Sequence, residues 1–229
     1  MFNLAQAKQV AAVCCENTPA ENGLVESFAQ ICSFLSDNAE CLSWRGKNVP
    51  SVYTEVGLKT LADRFFSSYR KSDFPAIPGT VPDEMVSIVM QEAYGYTNAQ
   101  CERIKIEHQH AMCAENCVGA LLERYLDSIL RPYGWHWCCG SFVKAIDFVK
   151  KNNDGTWLAL QIKNRDNSEN SSSSAIRKGT TIQKWFRTFS RTGETNWENL
   201  PDLMCGYGLS EEGFISFSRR YLEQEKSKQ

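Results

Sequence analysis

The sequence predicts an α/β protein: a small β-sheet packed with helices, preceded by a mainly helical region. Three observations carry this. The first 95 residues repeat apolar positions at helical three-four spacing. A long helical stripe, Val118, Leu121, Leu122, Tyr125, Leu126, Ile129 and Leu130, follows. The stretch AIDFVKKNNDGTWLALQIKN, residues 145–164, then reads as a β-hairpin about an Asn152-Asn153-Asp154-Gly155 turn. Helix, strand, hairpin and helix in that order describe an α/β core behind a helical segment. At 229 residues, 42% hydrophobic and 23% charged, the chain buries a substantial core and is not a disordered one.

In chain order, amphipathic stretches near 3–14, 20–36, 54–70 and 82–93 predict four helices. They are parted by turn residues such as Pro50 and the Pro75–Gly79 segment. These form a helical N-terminal region, 1–95, set before a functional core, 96–229, in one compact unit. Thr97-Asn98 is a helix cap, and helical sequence runs from it to Pro132. A strand is expected around 135–138, then the hairpin, a polar Asn/Ser stretch at 164–174, and a helix around 176–190.

Several function classes are excluded. No basic stretch leads into an apolar run as in a signal peptide, and no run of about 18 apolar residues could span a membrane. A cytoplasmic protein with no membrane partner is expected. Its ten cysteines are scattered through elements, as reduced, buried thiols are. Cys101, His108, His110, Cys113 and Cys117 invite a zinc reading. However, no CxxC pair occurs, and His108 and His110 diverge by about 200° on a helix, so helix packing is the expectation. His136 reads as a strand residue. No phosphate-binding glycine loop or nucleophile elbow appears.

The hairpin carries polar residues where a core strand would carry valine. Centred near residue 154, it pairs positions summing to about 308. Asp147 would face Gln161, with Ile146 opposite Ile162 and Phe148 opposite Leu160. Strand alternation then gathers Asp147, Gln161 and Lys163 on one face, with apolar residues on the other. Glu123 lies at the edge of the helical stripe, where a carboxylate is costly to desolvate. It offers a second carboxylate for a hard cation such as Mg²⁺. From Lys163 to Arg191 seven cations stand against two carboxylates, a net of +5, leaving −7 elsewhere. A polyanion should meet this segment first.

A helical glutamate, an aspartate at a strand start and a three-residue motif ending in lysine on the next strand resemble the PD-(D/E)xK nuclease superfamily, over about Val118 to Arg191. The continuation NRDNSENSSSSAIRKGTTIQKWFR is similar to type II restriction endonucleases of the SinI-like kind. The resemblance implies a restriction-endonuclease-like core with a central mixed β-sheet flanked by helices. It also implies Mg²⁺-dependent cleavage of double-stranded DNA, with Asp147, Gln161, Lys163 and Glu123 catalytic and Asp147, Gln161 and Glu123 holding the metal. Candidate DNA contacts are Asn164, Arg165, Asn167, Ser168, Asn170, Arg177, Lys178, Lys184 and Arg187. Arginine pairs with guanine and asparagine with adenine, while lysine and serine bind phosphate. A homodimer suits symmetric sites, a monomer stays open, and a companion methyltransferase would protect host DNA. Two departures stand out. Ile146 occupies the position of the motif's proline, and Gln161 replaces its second carboxylate, as in QxK variants. A repair or junction-cleaving nuclease of the superfamily and a non-catalytic DNA-binding protein therefore remain alternatives.

Overall fold

The computed structural model describes residues 1–45, 49–76, 78–166 and 182–228. Four helices come first: α1 (Leu4–Cys14), α2 (Leu24–Asp37), α3 (Glu55–Arg70) and α4 (Glu84–Tyr94). Then come the 33-residue α5 (Asn98–Leu130), strands β1 (His136–Trp137), β2 (Phe148–Lys151), β3 (Trp157–Arg165) and β4 (Gln183–Thr188), and finally α6 (Glu211–Lys226). All the expected N-terminal helices are present. Their starts are set by side-chain caps: Asn3, Thr54 and Asp83 accept backbone N–H groups of the first turn. Thr97 and Gln100 cap one another reciprocally at the head of α5. Gly95, at φ 72°, takes the left-handed conformation that ends α4 and folds it back on α5.

The four strands form one mixed sheet in the order β1-β2-β3-β4, antiparallel except for the parallel pair β3 and β4. The hairpin register is the expected one, with Phe148 opposite Leu160 and Val149 opposite Ala159. Gly155, at φ 86°, makes the turn. The helix expected around 176–190 is corrected where the chain is described, since 183–188 is β4. Trp185, Phe186 and Thr188 favour a pleated surface, and Trp185 buries itself against Trp197 with ring centroids 4.8 Å apart.

Helix α2 packs on β1 and β2, α5 on β1 and β3, and α6 on α5. One continuous hydrophobic cluster runs from Phe2 through Phe28, Phe65, Trp135 and Phe148 to Phe214. At the centre of β3, Ala159, Leu160, Gln161 and Ile162 are all buried. The hairpin is therefore covered on both faces, and the face carrying Gln161 is not the open, wetted surface that alternation suggests. No helix among the described residues is long and apolar enough to cross a membrane.

Candidate active site

Asp147 is fixed where β2 begins. Its N–H donates to Leu160 O and its carbonyl accepts from Cys138 N–H, both at 2.8 Å. Its carboxylate Oδ2 accepts the Ile162 N–H at 2.6 Å. The regular ladder thus stops at Phe148, and the Asp147–Gln161 pairing extrapolated from the turn is replaced by these bonds to the flanking residues. The cause lies just upstream: Ser141 and Ala145 both adopt positive φ, 61° and 57°, and bend the chain out of the strand.

Gln161 is 2% exposed, and its Oε1 has no hydrogen-bond partner. Such an orphan costs about 1–3 kcal/mol. It sits one residue from the peptide N–H that holds Asp147. Lys163, partly exposed, lies two residues further along β3, on the same face by alternation.

Glu123 comes from the C-terminal third of α5, where the Leu121–Leu126 stripe docks the helix against the sheet. Trp137 on β1 donates its indole N–H to Glu123 Oε2 at 2.8 Å. Burial pushes the Glu123 carboxyl well above the usual carboxylate range, the Asp147 charge adds to the rise, and Lys163 opposes it. Burial also raises Asp147, against the pull of the Ile162 N–H and the Lys163 ammonium. Glu123, Asp147 and Lys163 therefore share one electrostatic environment, drawn from α5, the start of β2 and β3. Both carboxyls hold protons more tightly than they would in water.

Beside Glu123 and Asp147 lies a cavity of about 470 Å³, lined by Asp73, Asn116, Glu123, Trp137 and Asp147 among others; Gln161 and Lys163 are not part of its lining. Asp73 and Asn116 escaped the sequence reading. Asp73 stands in a loop of the helical region that carries no motif, yet its charge acts on Glu123. Trp137 was visible only as part of a strand.

The chemistry of this donor set suits a hard divalent cation. Two oxygen-bearing carboxylates, each raised by burial, and an orphaned amide oxygen all gain from a nearby positive charge. Among the described residues no group of three His, Cys, Asp or Glu side chains is placed to hold a metal ion. In the Cys/His series on α5, Cys101 and Cys117 are buried, Cys113 is half-buried, and His108 and His110 are exposed. His136 is neutral, with burial lowering its pKa to about 4 and its Nδ1 3.0 Å from Ser27 Oγ.

The DNA-contact candidates divide. Asn167, Ser168, Asn170, Arg177 and Lys178 lie outside the described residues. Arg165 is exposed, 3.9 Å from Glu115, and Lys184 sits on β4 opposite Gln161. Arg187 is held within the protein. It pairs with Glu211 at 2.5 Å, lies over the Phe214 ring, and donates through Nε to Asn164 Oδ1 at 3.0 Å. That bond holds the Asn164 side chain as well.

Residues 7–224 match the model of the SinI restriction endonuclease family. The chain is 48% identical over 204 residues to the type II restriction enzyme Eco47I of Escherichia coli, covering 87% of each. It is 43% identical over 229 residues to the type II restriction enzyme SinI of Salmonella infantis, covering 99% of this chain and 98% of that one.

Proposed function

The chain belongs to the SinI restriction endonuclease family and is a type II restriction enzyme, and from that premise we propose that it cuts double-stranded DNA at a specific sequence with Mg²⁺, using Asp147, Gln161, Lys163 and Glu123. One observation carries the assignment: the buried, unpartnered Gln161 Oε1 one residue from the peptide that grips Asp147. In an ordinary core that atom would be paired. Asp147, Gln161 and Glu123 would hold the ion, which supplies Lewis acidity toward the scissile phosphate and a more acidic bound water.

The protein's own groups do the rest. The Ile162 N–H fixes the orientation of Asp147, and Trp137 fixes that of Glu123. Lys163 acts as a point charge on the developing negative phosphate oxygens or orients the attacking water. Gln161 contributes a neutral carbonyl where the motif has a carboxylate, so the site binds its ion more weakly than a three-carboxylate site would. Duplex DNA would be gripped by the basic run from Lys163 to Arg191, with Arg165, Lys184 and the candidates between Asn167 and Lys178 reaching bases and phosphates. Arg187 would support Asn164. The enzyme would work in the cytoplasm as a homodimer, with a methyltransferase of the same specificity protecting host DNA.

The glutamine at 161 is the observation that favours a second reading, a DNA-binding protein without catalysis. Incubation of plasmid DNA with the purified protein and Mg²⁺ separates them. Discrete fragments meet the proposal. A smear or structure-dependent cuts indicate a repair or junction nuclease, and retarded DNA without cutting indicates a binder.

A further inference from the structure

Asp73 lies between α3 and α4, in a stretch that carries no motif, yet three groups from two other helices hold it. Its N–H donates to Tyr221 Oη on α6 at 3.0 Å, and its carbonyl accepts from Cys117 Sγ on α5 at 2.9 Å. Its carboxylate Oδ2 accepts from Arg124 Nε, also on α5. This ion pair is largely shielded from water, with the Arg124 side chain 10% and the Asp73 side chain 17% exposed. Arg124 also donates through Nη2 to Lys71 O at 2.6 Å. Its guanidinium packs among three rings, 5.3 Å from the centroid of Trp137, 5.5 Å from Tyr221 and 5.7 Å from Tyr69.

A pair fastened in this way clasps a loop to a helix wherever it stands. Its position gives it a second consequence. Asp73 and Glu123 line the same cavity. Trp137 is shared as well: the ring on which the Arg124 guanidinium packs is the one whose N–H donates to Glu123 Oε2 at 2.8 Å. A guanidinium keeps its proton throughout the working pH range. Left unneutralised here, it would set a permanent positive charge beside a buried carboxylate, where water screens little. The Asp73 carboxylate cancels that charge and adds a negative one that Glu123 feels.

We propose that Asp73 is a positioning residue of the active site: by binding Arg124 it keeps the guanidinium from opposing a divalent cation at Glu123 and Asp147. The inference rests on the reading above, in which those two carboxylates hold the ion. Asp73 acts through Arg124 and is not itself a ligand, because its Oδ2 is taken up by the ion pair. Tyr221 and Cys117 share in this role. Gripping the N–H and the carbonyl of Asp73, they fix its carboxylate on the guanidinium. The helical region and α6, which carry none of the motif, thereby set the charge balance of the site.

Calorimetric titration of the DNA-free full chain with Mg²⁺ tests this on the wild type, Glu123→Gln, Asp73→Asn and the double variant Asp73→Asn, Arg124→Gln, with the urea unfolding midpoint of each as control. Asp73→Asn keeps both backbone bonds and an acceptor for Arg124, and should bind Mg²⁺ roughly tenfold more weakly than the wild type. The double variant should recover most of that affinity although its unfolding midpoint falls further. A purely structural clasp predicts the opposite, since the double variant has lost both partners. Where Arg124→Gln does not fold, Arg124→Met keeps the contact with the rings and takes its place. Wild-type affinity in Asp73→Asn, or no recovery in the folded double variant, overturns the proposal and leaves the metal site standing. A wild type that takes up no Mg²⁺, or that binds it as tightly once Glu123 is replaced, overturns the reading of the site and this inference with it.

Discussion

Glu123 and Asp127 stand one turn apart on α5, both carboxylates with restricted access to water, and they meet opposite fates. Asp127 has its countercharge built in: Arg131, one turn along the same helix, grips both of its oxygens. Arg131 also donates to Ala20 O and Asn22 O at 3.1 Å and to Tyr69 Oη at 2.9 Å, which ties α5 to the helical region. Glu123 has one neutral donor, Trp137, and faces a second raised carboxyl, Asp147. The first arrangement is complete without a ligand. The second would lower its free energy if a cation arrived. Burial alone therefore does not mark a functional carboxylate; burial without a matched partner does.

The largest expected break in this comparison is in catalysis. Asp147→Asn and Lys163→Ala should each lower the DNA cleavage rate by roughly 10²–10⁴-fold while sparing most specific binding, measured by plasmid digestion and mobility shift. Wild-type rates in either variant would exclude the mechanism. Arg131→Ala should do the reverse. Breaking a buried pair from one side costs about 3–5 kcal/mol, so the midpoint of urea unfolding should drop sharply, while the folded fraction still cuts DNA.

A smaller effect is in pH dependence. The folded-state pKa of Glu123 is raised above its unfolded value, so the folded protein binds the extra proton between the two. Stability contributed by the protonated form is complete below the unfolded pKa, about 4.3, and is lost as pH rises through the raised folded value. Without divalent cations, wild-type thermal stability should decline across that window, and Glu123→Gln should flatten the decline. An equally steep decline in the variant would show that another group titrates. The smallest effect is at Gln161. Gln161→Glu should keep the fold, lower stability slightly without metal by adding a like charge, and tighten Mg²⁺ binding. An unchanged metal dependence would mean that residue 161 is not a ligand.

How much of this the sequence disclosed depends on whether the signal was local. Helices α1 to α5 were legible because caps and apolar spacing are read within one segment. The hairpin register was legible because the Asn-Asn-Asp-Gly turn fixes it. Helix α6 was overlooked although its signals were present: Ser210 as the cap, Glu211 and Glu212 in the first turn, and Phe214, Phe217 and Tyr221 at three-four spacing. Strand β4 was misread because its ladder with β3 is a non-local fact. At the site, alternation put Gln161 and Lys163 on one face of β3, but the Ile162 N–H bond that holds Asp147 in place of the extrapolated Asp147–Gln161 pairing could not be read from the turn. Nor could the contribution of Asp73 be read, because it arrives from a loop 50 residues upstream of Glu123 with nothing in its own neighbourhood to announce it.

The central claim is that the unmatched carboxylates take up a divalent cation and give up protons to do so. Calorimetric titration of the DNA-free enzyme with Mg²⁺ at pH 7, in two buffers of different ionisation enthalpy, reads both at once. Binding accompanied by proton release in the wild type, with both lost in Asp147→Asn, is the predicted result. Binding that releases no protons, or that survives the substitution unchanged, would contradict it.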